Sequence, residues 1–532
     1  MLSKSIRTIG AITLATLLLP GAASAQAKTF DEAFAAIRDR PEFVHSWFGV
    51  EIYSIDQKKV LFAYNGQKLF QTGSTAKALT EGTSLELLGA DYRFHTPIYR
   101  TGPIVNGVLK GNIVLVGSGD PNLSNRLQPD GTLAFADEDH SYGGYDSRLI
   151  PGDPALALAK LAEQVAAAGI KRIEGHVLID ASLFEEGGRE MGTGVTRSPV
   201  VVNDNVVDLV VSPGTENGAA VVKPSLTVPY LRFVNRVTTG PKGGDTALER
   251  SQKMLPGGVI EVTLEGHIPS DKGSYVYAYP VASPSRFATA LLIDRLAQHG
   301  VTVAAPAGPA PAGDAFKASY TPQNKLAEWV SAPLKEDVKV TLQTSQNLHA
   351  STMPFVWGGV LAPGEGPADY RGFALESAFL KKAGVDASGI MQANGEGSAL
   401  FSPDFIAHFL AYMAGRPTYQ LYHDSLPILG RRGTLKNILP DSPAAGHVFA
   451  KTGTHIGPNP LGNDIMVNAK ALAGYTTTPS GEHVSIAIYL NDVPVAANLN
   501  DPNDVTEAIA KTTGNTLGEI AAAAHLLPIA TK

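Results

Sequence analysis

With 532 residues the chain is too long for one ordinary hydrophobic core, which points to two or three domains. Hydrophobic residues at 44% and charged residues at 17% make a foldable globular composition, and a net charge of −7 without a basic run argues against a nucleic-acid partner. There is no cysteine, which excludes disulfides, thiolate zinc sites, iron–sulfur clusters and a cysteine nucleophile together.

The first 25 residues have the form of an export signal. Lys4 and Arg7 precede an apolar run from Ile9 to Leu19, Pro20 breaks it, and Ala23-Ser24-Ala25 supplies a cleavage pattern before Gln26. The run is short for a bilayer span, and no second stretch of about 18 apolar residues follows. An exported protein without a transmembrane anchor is expected.

Residues 31–38 then predict a short helix capped by Asp31, and residues 48–55 and 59–64 predict a hairpin around Asp56-Gln57-Lys58. The run Gln71-Thr72-Gly73-Ser74-Thr75-Ala76-Lys77 opens a helix to about Leu88, with Leu79, Thr83 and Leu87 spaced to give one buried face. From Thr96 to about Ala318, short β-prone runs (111–116, 176–179, 206–211, 226–234, 258–264 and 275–279) alternate with Gly/Pro turns. Helices at 154–168 and 284–299 interrupt them, and residues 304–313 resemble a linker. Beyond Leu326 the chain turns helical, returns to strands at 448–450, 471–476 and 484–490, and ends in a helix at 516–525. The pattern predicts a catalytic domain made of both chain ends, residues 26–95 and 320–532. Residues 96–319 form an inserted β-rich region, itself in two subdomains.

Three short motifs carry chemistry: Ser74-Thr75-Ala76-Lys77, Ser345-Gln346-Asn347 and Lys451-Thr452-Gly453. Singly each is common. Their order and setting are not, because the first opens a helix after a hairpin and the last lies on a strand near the C-terminus. Serine and lysine three apart on a helix share a face, so the amine reaches the hydroxyl. A serine hydroxyl needs a neighbouring base, and a lysine serves only when burial or a second cation lowers its pKa. Lys451 is the natural second cation.

The set resembles the penicillin-recognising serine enzymes. Ser74 and Ser345 stand 271 positions apart and Ser345 and Lys451 106, and the long first gap is similar to the class C low-molecular-mass penicillin-binding proteins, the D-alanyl-D-alanine carboxypeptidase/endopeptidase family. Gly117-Ser118-Gly119-Asp120-Pro121, Gly175 to Asp180, Asp204-Asn205, Ser212-Pro213-Gly214 and Gly433-Thr434-Leu435 extend the resemblance over most of the chain.

The resemblance implies an α/β (α+β) fold, an antiparallel sheet flanked by helices with a large β-rich insert. It implies a periplasmic serine DD-peptidase that acts on peptidoglycan stem peptides, binds β-lactams, and needs neither cofactor nor metal. It makes Ser74 the nucleophile, Lys77 its base and Ser345 the proton relay. Asn347 binds the substrate backbone and holds the lysine. Lys451 and Thr452 pair with the terminal carboxylate, Gly453 lets the substrate backbone approach, and the N–H groups of Ser74 and Thr454 form the oxyanion hole. Two other functions fit the motifs: a β-lactamase or esterase with the same groups, and an idle wall-binding protein.

Several residues depart from the family pattern. Asn394-Gly395-Glu396-Gly397-Ser398 stands where an Asp-Gly-Ser-Gly-type turn is usual. An extra segment between Leu123 and Pro154 carries Asp137, Glu138, Asp139, His140 and Asp146, expected as a solvated acidic loop rather than an oxygen-ligand metal site. The family tryptophan after Asp180 is missing, and Asp180 fits either a substrate-amine contact or a structural turn. His349 is expected to be packed rather than catalytic, and no role follows for His455.

Overall fold

The computed structural model describes residues 28–305, 316–497, 499 and 502–529, so the signal sequence and most of the linker at 304–313 lie outside the described residues. The two chain ends meet in one antiparallel sheet whose strands run in the spatial order Lys59–Tyr64, Trp47–Ser54, His483–Asn491, Asp464–Thr477, Phe449–Asn459. Strand alternation divides the side chains between two layers. Val484, Ile486, Ile488 and Leu490 pack toward the helices Phe30–Arg38 and Asn515–Leu526. Ala471, Ala473, Tyr475, Ala487 and Tyr489 face the opposite layer, built on the helices Ala76–Leu87 and Pro403–Ala414. Each fully buried Val, Leu or Ile in these layers contributes roughly 1.5–3 kcal/mol.

The first helix starts one residue earlier than predicted. Thr29, not Asp31, caps it, because Thr29 and Glu32 exchange hydrogen bonds in a capping box. The helix Ala76–Leu87 differs more. In place of one buried face, every residue from Ala76 to Leu85 is buried, since the helices Leu334–Thr344, Asn347–Val356, Ala368–Ala383 and Pro403–Ala414 surround it. Its threonines find partners inside: Thr80 donates to the Gly395 carbonyl at 2.7 Å and Thr83 to Glu376 at 2.9 Å.

The residues between form a second body with its own core around Leu158, Leu161, Ile173, Ile179, Leu209, Phe287 and Leu291. One of its sheets has the order Lys325–Val330, His95–Arg100, Ile113–Val116, Val177–Asp180. Ala327 and Trp329 of the strand Lys325–Val330 pack into this core. The strand expected at 226–234 lies at Leu231–Gly240, past Pro229, which has no N–H for a ladder. The next strand in the chain, Ala247–Leu255, lies across the sheet beyond Val259–Pro269 and was hidden in the sequence by Glu249, Arg250 and Lys253, which it presents to solvent on a sheet edge.

Candidate active site

Ser74 sits in the 3-10 turn Gly73–Thr75 that leads into the buried helix, beside the edge strand Phe449–Asn459. Glycines let the segments meet. Gly73 has φ +48°, and a side chain on it would come within 2.7 Å of the Thr454 nitrogen. A side chain on Gly453 would strike the Thr72 carbonyl at 2.1 Å. Gly453 thus seats the edge strand on the Ser74 turn, a different reason for its bareness from the close substrate approach expected of it.

Lys77 gathers the motifs. Its ammonium donates to Ser74 Oγ at 2.8 Å, to the Ser345 carbonyl at 2.7 Å, to Ser345 Oγ at 3.2 Å and to Asn347 Oδ1. Ser345 ends the helix Leu334–Thr344 in the left-handed region at φ 63°, ψ 33°, which turns its hydroxyl back between the two lysines. Lys451 donates to Ser345 Oγ at 2.8 Å and to the Thr452 carbonyl at 3.0 Å. It is fully buried and thus placed for Ser345 rather than for a ligand in the open cleft. The Asn347 amide donates to the Met191 carbonyl, so the expected substrate contact is taken by the chain itself.

Burial sets the charge states. It pulls Lys77 down to about 8, while Glu396, Glu190 and Glu81 oppose the shift. Burial lowers Lys451 well below the usual lysine value, with Lys77 and Lys470 adding repulsion. Glu396 is pushed up to about 8 by burial and by Glu190. In the same turn Asn394 Oδ1 accepts from the backbone N–H of Glu396, Gly397 and Ser398.

The acidic segment is solvated only in part: Glu138 and Asp146 are exposed as expected. Asp139 and His140 are buried, because Arg126 from the same segment brings its guanidinium to Asp139 at 2.6 Å and to Asp204 at 2.8 Å. His140 bonds Asp204 and Asp208 at 2.7 Å each, and His349 bonds Asp204 and Asp337 at 2.8 Å each. His349 is packed as expected, but as a cation held up to about 10 by two carboxylates. Ligand atoms of Asp139, His140 and Asp204 lie within 4.8 Å of one another, yet Arg126 already supplies the positive charge there. Asp180 is a turn residue, accepting from the Ser182 N–H at 2.9 Å and from the Tyr320 hydroxyl.

The network reaches the site. Gln346 donates to Asp139 at 3.1 Å and to Ser141 at 2.9 Å. Tyr142 donates its hydroxyl to the Ser345 carbonyl at 2.6 Å and accepts from the Asn347 N–H at 3.0 Å. Tyr142, Glu190, Met191 and Lys470 carry no motif, and sequence reasoning missed them. Their signal was position alone: Tyr142 lies within the extra acidic segment, two residues after His140, and Lys470 lies on the strand after Lys-Thr-Gly. His455 is exposed on the edge strand.

Beside these groups opens a cleft of about 440 Å³, lined by Ser74, Tyr142, Ser345, Asn347, Thr434, Thr452, Thr454 and Lys470, with Ile438, Ile456, Ile509 and Leu517 on its apolar side. An antiparallel sheet flanked by helices, with serine and lysine opening the buried helix and Lys-Thr-Gly on the sheet edge, is the architecture of the penicillin-recognising serine hydrolases. The chain belongs to the D-Ala-D-Ala carboxypeptidase 3 (S13) family, whose model matches residues 31–515, and is a serine-type carboxypeptidase. It is similar to the D-alanyl-D-alanine carboxypeptidase of Actinomadura sp. (strain R39), 26% identical over 87% of this chain and 81% of that one. The D-alanyl-D-alanine carboxypeptidase DacB of Haemophilus influenzae is 22% identical over 82% and 84%. The crystal structure of penicillin binding protein 4 (dacB) from Haemophilus influenzae shares the fold, with a TM-score of 0.67 at 19% identity, covering 92% of this chain and 97% of that one.

Proposed function

We propose that this carboxypeptidase cleaves the terminal D-Ala–D-Ala bond of peptidoglycan stem peptides, and crosslinks ending in D-alanine, through a serine ester on Ser74. The observation that carries the proposal is a buried lysine 2.8 Å from Ser74 Oγ whose direct partners are all neutral oxygens. Such a lysine gives up its proton readily. Neutral Lys77 takes the proton of Ser74 as Oγ attacks the peptide carbonyl. The oxyanion faces the N–H groups of Ser74 and Thr454, donors worth about 3–4 kcal/mol each in such sites. Ser345, held by both lysines, passes the proton from Lys77 to the leaving amine. Water then hydrolyses the ester. Asn347 fixes Lys77, and Thr452 and Thr454 offer hydroxyls to the departing residue.

β-Lactams acylate the same serine in this proposal, which the crystal structure of the Haemophilus influenzae protein complexed with a β-lactam supports by fold. Export to the periplasm is part of the proposal. It rests on the pattern of residues 1–25, and among the described residues no helix is long and apolar enough to cross a membrane.

Fluorescent penicillin tests the ester. A stable adduct on the wild type that vanishes in Ser74→Ala, with the fold intact by circular dichroism, is expected. Labelling that survives the substitution moves the nucleophile elsewhere. Rapid adduct turnover favours a β-lactamase, and no adduct on the wild type favours an idle wall-binding protein.

A further inference from the structure

The cleft holds a cation that the motif roles above do not use. Strands Phe449–Asn459 and Asp464–Thr477 pair in register with Thr454 opposite Lys470 and Thr452 opposite Leu472. Alternation places Thr452, Thr454 and Lys470 on one face and Lys451 on the other. The consequences for exposure are opposite. Lys451 has no solvent access and is spent on Ser345 Oγ and a carbonyl. Lys470 is half-buried and lines the cleft.

Among the described residues lining the cleft, Lys470 is the one charged side chain. Its ammonium donates to Thr454 Oγ1 at 3.0 Å, and none of the ion pairs among the described residues includes it. Beside it the Thr452 hydroxyl is within 2.8 Å of the Thr434 hydroxyl. A cation unmatched by any carboxylate, bonded to the Thr454 hydroxyl and sharing the cleft with the Thr452–Thr434 hydroxyl pair, offers a carboxylate the donors with which it forms short charge-assisted bonds.

We propose that Lys470, with Thr452 and Thr454, binds the free carboxylate of the leaving residue, and that Lys451 acts only through Ser345. Lys470 is then a determinant of specificity for substrates that end in a carboxylate. The inference rests on the serine-peptidase proposal and sharpens it. Partial withdrawal from water draws the Lys470 ammonium down to about 8, and an arriving carboxylate favours its charged form.

The test compares two thioesters on the purified exported chain: an N-acyl-D-alanyl thioglycolate, whose leaving group ends in a carboxylate, and its methyl ester, which is uncharged there. Lys470→Met is expected to raise KM for the thioglycolate roughly ten- to a hundredfold with kcat little changed, and to leave the methyl ester alone. Lys470→Arg should retain most of the discrimination, and Lys451→Met should slow both substrates alike. Equal loss on both substrates with Lys470→Met, no loss on either, or selective loss with Lys451→Met overturns the assignment. Turnover of both thioesters that depends on Ser74 but ignores Lys470 overturns the carboxylate assignment alone. If the wild type leaves both thioesters intact, the peptidase proposal itself falls and this inference with it.

Discussion

Two buried clusters of positive charge lie side by side in this molecule, and burial has opposite outcomes in them. Around Arg126, His140 and His349 each cation touches two carboxylates, and both histidines are held above their ordinary value. Around Ser345, Lys77 and Lys451 touch only hydroxyls, carbonyls and an amide, and both are pulled below theirs. Desolvation penalises charge in both places; a contacting carboxylate decides whether the cation survives it. The first cluster fixes shape. The second keeps an amine ready to take a proton, and the first holds the loop that serves it.

Removing the shared carboxylate should therefore do the most damage. Asp204 contacts Arg126, His140 and His349, so Asp204→Ala leaves three buried cations short of a partner. Breaking buried pairs of this kind costs about 3–5 kcal/mol. Urea unfolding of Asp204→Ala against wild type measures it, and a loss under about 1 kcal/mol would show that the network contributes little to stability.

Giving the second cluster a carboxylate should make it behave like the first. Asn347→Asp places a negative oxygen where Oδ1 now accepts from Lys77. The Lys77 pKa should rise by about one to three units, since an opposite charge at contact favours the ammonium. The rising limb of acylation against pH, expected near 8 in the wild type, should move upward by the same amount. Penicillin acylation rates from pH 6 to 10 read the shift. An unmoved limb would take Lys77 out of the base role.

The clusters also differ in the sign of their pH linkage. His349 binds its proton more tightly folded, with a value of about 10 against 6.5, so its stabilisation is complete below 6.5 and is lost as pH rises toward 10. Lys77 binds its proton less tightly folded, about 8 against 10.5, so its cost is eased as pH rises through that window. His349→Gln should remove its share of the alkaline loss and leave that of His140. Wild-type unfolding free energy should fall more steeply than that of His349→Gln between pH 6.5 and 9.5, and parallel curves would assign the linkage elsewhere.

How much of this the sequence announced depends on which residues had local grammar. Ser74, Lys77, Ser345, Asn347, Lys451 and Thr452 lie in short motifs, and the structure gathers all of them around one cleft. The hairpin at 48–64 and the last strands were legible because they are β-prone runs, the first two parted by the turn residues Asp56-Gln57-Lys58. The full burial of helix Ala76–Leu87 was not, since Lys77, Thr80 and Glu81 give it the look of a surface helix. Only tertiary partners reverse that pattern. The acidic segment misled for the same reason: Asp139 and His140 become interior residues through Arg126 and Asp204, the latter some 65 positions downstream, a separation no periodicity encodes.

The smallest expected effect sits where the two clusters join. Tyr142 follows His140 by two residues, and its hydroxyl bridges the Ser345 carbonyl and the Asn347 N–H. That bridge braces a residue in the left-handed region, where a non-glycine backbone is held only by its surroundings. Tyr142→Phe removes both hydrogen bonds and keeps the ring. Each neutral bond contributes about 0.5–1.5 kcal/mol, and water can replace them because the side chain is partly exposed. Stability should change by less than about 1 kcal/mol, within the range of surface substitutions. Acylation should slow by about three- to tenfold, because the Ser345 hydroxyl is no longer fixed between Lys77 and Lys451. The two readouts separate the possibilities. Slower acylation at unchanged stability ties the shape-fixing cluster to the reactive one through this phenol, while equal losses in both, or none, leave the clusters as neighbours without a working connection.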